Sequence, residues 1–128
     1  MKKLLLLLPI LAIQACTVYG LTDDYGKLTT EQKATIVDAD FSEKNIEKVY
    51  KVTGKELASE VKKHPKALVY VFTNGCTSDH CKPMAVYESF AKKNGYALFL
   101  VMSGYGHIEK TLAQRDSFDS QLYAVKSE

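Results

Sequence analysis

The stretch Ala67-Leu68-Val69-Tyr70-Val71-Phe72-Thr73-Asn74-Gly75-Cys76-Thr77-Ser78-Asp79-His80-Cys81-Lys82-Pro83-Met84 decides how this chain is read. Residues 67 to 72 are continuously apolar, rich in β-branched and aromatic types, and too few for a buried helix. They predict a strand covered on both faces of a parallel sheet. Asn74-Gly75 breaks that strand, and Cys76 and Cys81 follow at its carboxyl end. Lys82-Pro83-Met84 then opens a helix, with proline near the first turn, where a missing N–H costs nothing. A thiol near the N-terminus of a helix sits close to unpaired N–H groups, which favour the thiolate.

Upstream, Lys48-Val49-Tyr50-Lys51-Val52 alternates as a strand does. Thr53 and Glu56 have the spacing of a capping box, so a helix starts there, turns Leu57, Ala58 and Val61 to one face, and stops at His64-Pro65. His64 is read as a helix-end residue favourable to the macrodipole. Thr29 and Thr30 precede a short capped helix through Ile36, and 37–45 is read as irregular. Downstream, Met84, Tyr87, Phe90 and Ala91 recur at helical spacing as a core stripe, and Asn94-Gly95 closes the helix. Tyr96 to Met102 is a second buried strand, Ile108 to Gln114 a short helix, and Leu122 to Val125 a further strand. Alternating strands and helices imply an α/β fold: a mostly parallel sheet with helices on both faces, and functional groups outside the carboxyl ends of its strands. Cys76 and His107 both fall just past such ends.

The N-terminus has a separate logic. Lys2-Lys3 is a positive n-region and Leu4 to Ile13 an apolar h-region, so 1–15 reads as an export signal. Ile13-Gln14-Ala15-Cys16 resembles the lipobox of bacterial lipoproteins, which implies lipid attachment at Cys16 and a membrane-anchored mature chain. Thr17 to Lys27 is polar and aperiodic, so 16–28 is assigned to a tether and 29–128 to one domain with its core at 48–125. The chain carries 17 Lys and Arg against 15 Asp and Glu, and losing Lys2 and Lys3 leaves it balanced. No nucleic-acid partner follows from that balance. Of three cysteines, the lipid takes one, leaving a close pair in an oxidising compartment.

With the cysteine turn between a strand and a helix, 48–125 resembles a thioredoxin-like domain, a three-layer sandwich. Cys81-Lys82-Pro83-Met84 is similar to that family's second redox cysteine and its helix. Together with the lipobox, the chain is similar to the thioredoxin-like lipoproteins of bacterial, particularly Bacteroides-type, envelopes. The resemblance implies that Cys76 is the exposed attacking thiol and Cys81 the resolving thiol. It also implies an envelope location and thiol or disulfide proteins of the envelope as partners; Thr17 and Val18 in place of aspartate after Cys16 point, by analogy with bacterial lipoprotein sorting, to the outer membrane in preference to the inner. Four residues separate the cysteines where the family has two. Gly75 stands in place of its Trp, and Gln121 in place of its cis-proline. Glu128 precedes the family's last strand and helix, so a minimal domain or a fragment is expected.

Three functional classes stand open. Thiol–disulfide exchange through Cys76 and Cys81 needs no organic cofactor; Asp79 disfavours the thiolate, while a protonated His80 favours it. A structural disulfide would leave a binding module that uses Tyr70, Tyr87, Tyr96 and Tyr105. A copper or zinc site would draw on Cys76, His80 and Cys81, with His107 as a fourth ligand. Serine hydrolase, nucleotide-binding and paired-carboxylate signatures are absent, which removes hydrolysis and phosphoryl transfer. The lipobox reading predicts a mature protein that begins at a diacylated Cys16. Mass spectrometry of the membrane fraction checks it, and Cys16→Ser is expected to release the protein from the membrane.

Overall fold

The computed structural model describes residues 22–126, so the export signal, Cys16 and the start of the tether lie outside the described residues. Five parallel strands form one sheet in the order β1-β2-β5-β4-β3, with β1 Ile36–Asp38, β2 Val49–Val52, β3 Ala67–Phe72, β4 Ala97–Met102 and β5 Leu122–Val125. Four helices accompany it: α1 Thr30–Thr35, α2 Gly54–Val61, α3 Met84–Asn94 and α4 Ile108–Leu112. No helix among the described residues is long and apolar enough to cross a membrane.

Both predicted helix starts have their chemistry in place. Thr53 accepts from the Glu56 N–H while the Glu56 carboxylate takes the Thr53 N–H, and Thr29 and Gln32 do the same for α1. Each exchange satisfies two donors that a helix end would otherwise leave orphaned. On one face of the sheet Phe72, Leu100, Met102, Leu122 and Ala124 pack with Met84 of α3, Ile108 of α4 and Phe118. On the other face Tyr50, Val52, Phe99, Val101 and Tyr123 pack with Leu57 and Val61 of α2 and with Phe41. The result is an α/β arrangement of three layers.

Strands β3 and β4 pair in parallel, in register from Ala67 opposite Ala97 to Phe72 opposite Met102. Yet β3 is an edge strand of the sheet, opposite β1, and is not covered on both faces. Its even-numbered side chains lie under α3, whereas Val69 and Val71 are 38% and 56% exposed on the opposite face. An apolar run therefore marks a strand here without marking a central one. The fully buried run is β4, whose last four residues are all buried.

A second correction concerns α3. Met84, Glu88 and Ala91 are its buried residues, with Tyr87 half-buried against the Tyr70 ring, whereas Phe90 is 51% exposed. Positions 84, 87, 88 and 91 make one stripe, and Phe90 lies beyond its margin, stacked on Tyr96 with ring centroids 5.9 Å apart. The residue inside is a carboxylate. Glu88 accepts from the Asp119 N–H at 2.9 Å and the Ser120 hydroxyl at 2.7 Å, and pairs with Lys92 at 3.4 Å. Burial alone would raise its pKa, but these partners hold it below its ordinary value. Beside it, Arg115 donates to the Ser120 carbonyl at 2.7 Å and lies over the Phe118 ring; burial pushes it down to about 10 against the pull of Glu88 and Asp119.

Two shorter differences complete the comparison. Ile36–Asp38 is a strand where the end of the short helix, at Ile36, and the start of an irregular stretch, from Val37, were expected, because Ile36 turns into the core. The last part of the expected tether belongs to the fold: Asp24 is buried and its carboxylate holds Lys27 at 2.7 Å, while the Asp23 carbonyl accepts from the Tyr105 N–H at 2.7 Å. The exposure of Phe90 predicts that Phe90→Ala costs about 1 kcal/mol or less, while Leu100→Ala, at a fully buried position, costs about 2 to 5 kcal/mol. Urea denaturation of both variants checks the helix phase.

Candidate functional site

The site is built on the turn that follows β3. Asn74 is 5% exposed and spends its whole side-chain amide on neighbours. Its Nδ2 donates to the Gly104 carbonyl at 2.9 Å and approaches Met102 Sδ at 3.7 Å, and its Oδ1 accepts the hydroxyl of the buried Thr111. One residue thus joins the end of β3, the loop after β4 and the body of α4. Gly75 follows at φ +72°, and a Cβ there would meet His107 Cβ at 3.3 Å and Lys110 Cγ at 3.4 Å. Only glycine offers both that backbone conformation and the close approach of α4.

The two cysteines are joined as a disulfide, with 6.0 Å between their Cα atoms. Cys76 is exposed and Cys81 is half-buried. The intervening loop organises itself: the Cys81 N–H donates to the Ser78 carbonyl at 2.9 Å, the His80 N–H to Ser78 Oγ at 3.3 Å, and Lys82 Nζ to the Asp79 carbonyl at 3.0 Å. Helix α3 begins only at Met84, three residues beyond Cys81, so its macrodipole reaches the sulfurs weakly. Pro83 supplies no side-chain cap there; Gln114, beyond α4, takes the Met84 N–H at 3.0 Å instead.

Beside the disulfide lies a cleft of about 400 Å³. Tyr70, Phe72 and Met84 form its apolar lining, Thr111, Gln114 and Ser117 its polar wall, and Lys82 and Lys110 its charged lining. Tyr70 and Tyr87 stack with ring centroids 3.7 Å apart, and burial followed by the neighbouring phenol pushes Tyr70 up to about 12. A larger cleft of about 470 Å³ lies at the amino ends of β4 and β5, but it is lined by no cysteine. Four carboxylates line it, Glu43, Glu60, Glu88 and Asp119, of which Glu60 and Glu88 are paired with Lys63 and Lys92.

Of the residues singled out from sequence, Cys76 and Cys81 are brought together. His107 stands beside their turn, at φ 56° as the N-cap of α4, with Nδ1 3.6 Å from Glu109. His80 is exposed in the loop. Among the described residues no group of three or more His, Cys, Asp or Glu is arranged to hold a metal ion, and in the disulfide neither sulfur is a free thiolate. The four tyrosines do not share a surface: Tyr105 is core, Tyr70 and Tyr87 are half-buried, and Tyr96 is exposed. Gln121 donates to the Glu43 carbonyl at 2.9 Å, and no peptide bond among the described residues is cis. His64 sits against Phe99, ring centroids 5.7 Å apart, within 3.6 Å of Glu60.

Asn74, Thr111, Gln114 and Lys110 were not legible as site residues. Asn74-Gly75 carries a turn signal in either case, and the other three are about 30 or more positions from the cysteines and meet them only through the folding of α4 onto β3. Compared with protein-family models, curated proteins and solved structures, the chain matches none.

The Asn74 network predicts that Asn74→Ala destabilises by about 1 to 3 kcal/mol, because it strands the Thr111 hydroxyl and the Gly104 carbonyl in the interior. Thermal unfolding of Asn74→Ala beside Asn74→Asp measures it. The Asp variant keeps the acceptor for Thr111, loses the donor and sets a buried carboxylate against the Gly104 carbonyl.

Proposed function

We propose that this protein is a membrane-anchored, thioredoxin-like thiol–disulfide exchange protein, with Cys16 as the lipid attachment point and Cys76 and Cys81 as the redox pair. The observation that carries the reading is the asymmetry of the disulfide. Cys76 is open to solvent and Cys81 is half-buried, at the carboxyl end of a strand and on the wall of an apolar cleft. A disulfide can exchange only if one sulfur lies open to in-line attack while the other leaves, and of the two residues Cys76 is the exposed one.

In this reading a partner thiolate attacks Cys76 Sγ, and the Cys76–Cys81 bond breaks with Cys81 leaving as thiolate. A mixed disulfide to Cys76 results. In the opposite direction the Cys76 thiolate attacks a partner disulfide, and Cys81 resolves the mixed species. The tie from Asn74 to α4 supports this role, because it fixes the turn from below while the loop 77–80 is held only by its own local hydrogen bonds.

The redox reading predicts that the pair equilibrates with glutathione buffers at a potential above the roughly −300 mV typical of structural bridges. It further predicts that Cys81→Ser accumulates mixed disulfides with envelope proteins while Cys76→Ser does not. A bridge that resists reduction by thioredoxin-strength reductants, and whose removal lowers only stability, assigns the disulfide to structure instead.

A further inference from the structure

We propose that the disulfide cleft takes an acidic, extended polypeptide segment bearing a cysteine, laid along the open edge of β3 as an added strand; this rests on the exchange reading of Cys76 and Cys81. Charge comes first. The charged side chains that line the cleft are Lys82 and Lys110, and no carboxylate joins them. Among the described residues neither lysine is paired with a carboxylate, and Lys82 contacts only the neutral Asp79 carbonyl. Two uncompensated cations beside an apolar floor favour an anionic ligand with apolar flanks.

The edge selects a polypeptide over a small thiol. The Lys66 and Phe72 carbonyls accept from Ala97 and Ser103, so even-numbered residues of β3 face β4. By strand alternation Ala67, Val69 and Val71 turn their N–H and C=O groups outward. Among the described residues no element covers that edge, and β3 itself holds no charge or proline, two of the devices that block strand addition. Tyr70 and Phe72 belong to both edge strand and cleft lining, and Thr73 continues that lining just past the strand, so a strand added at this edge runs directly into the cleft. Charge also argues against a second copy as the occupant. Two β3 strands paired antiparallel would bring Lys66 of each copy toward the lysine-lined end of the other, and the like charges would repel.

The step balances on the groups named. The segment's thiolate attacks Cys76 Sγ, the Cys76–Cys81 bond breaks, and Cys81 leaves as a thiolate that takes a proton from water. A second thiolate of the partner then attacks the partner's own sulfur in the mixed disulfide and releases Cys76. The partner's two thiols are oxidised to a disulfide, and the Cys76–Cys81 disulfide is the oxidant that receives both electrons.

The test uses the full chain with its disulfide intact. Four thiols are compared: a short peptide with one cysteine flanked by Glu and Val, the same peptide with Gln for Glu, the Glu peptide N-methylated at alternate residues, and 2-mercaptoethanol. Each rate is divided by that thiol's rate with 2-hydroxyethyl disulfide, which removes differences in intrinsic reactivity. The Glu peptide is expected to react about tenfold faster than the Gln peptide at low salt, falling below about threefold at about 0.5 M salt. The N-methylated peptide is expected to lose most of its rate, and the Glu-to-Gln ratio to fall to about one in the Lys82→Gln, Lys110→Gln double variant. Lys82→Gln alone, in an exposed loop, is expected to lower the ratio about threefold and serves where the double variant fails to fold. Equal rates for Glu and Gln peptides, or no effect of N-methylation, overturn the proposal while leaving exchange itself intact. A disulfide that even 2-mercaptoethanol does not open overturns the exchange reading instead.

Discussion

Asn74 is the residue on which the geometry around the cysteines depends. A buried carboxamide must spend its donors and acceptor inside the protein, and Asn74 does so on the carbonyl of Gly104 and the hydroxyl of Thr111. Because one partner lies in the loop after β4 and the other in α4, the end of β3, that loop and the helix cannot move independently. Gly75 then lets α4 come within contact distance of the turn, and Gln114 reaches across to cap α3. The disulfide thus stands on a floor held by hydrogen bonds, while its own loop is held only by local ones.

The sheet is covered unevenly, and that matters to what the cysteine turn can meet. Helices α3 and α4 cover one face out to β3, but α2 covers the other face only over β2, β5 and β4. Val69 and Val71 are left open beside an unpaired backbone edge. Unpaired edges are normally blocked by charge, proline or a bulge, since they invite strand pairing. Here, among the described residues, the unblocked edge adjoins the cleft beside the disulfide.

Helix α3 shows how a polar residue can take a core position from an aromatic one. Glu88 faces the start of β5, where the Asp119 N–H and the Ser120 hydroxyl need an acceptor, and hydrogen bonds to a charged group in such a place outweigh the burial that opposes them. Phe90, one step off the stripe, keeps half its surface in water and stacks on Tyr96. Apolar identity alone does not fix which side of a helix is inside when a neighbouring loop offers unsatisfied donors.

Local chemistry was legible in the amino-acid sequence. The capping box at Thr53, the capped helix after Thr29, the strands at 49–52, 67–72, 97–102 and 122–125, the break at Asn74-Gly75 and the nearness of Cys76 to Cys81 each follow from residues a few positions apart, whose propensities and hydrogen bonds need no distant partner. Strand order, the exposure of β3 and Phe90, the burial of Glu88, and the arrival of Thr111, His107, Lys110 and Gln114 at the cysteine turn were decided only in three dimensions. An apolar hexapeptide is equally suited to the centre or the edge of a parallel sheet. Which it occupies depends on where the crossovers place β4 and β5, and that is settled by packing among residues tens of positions apart.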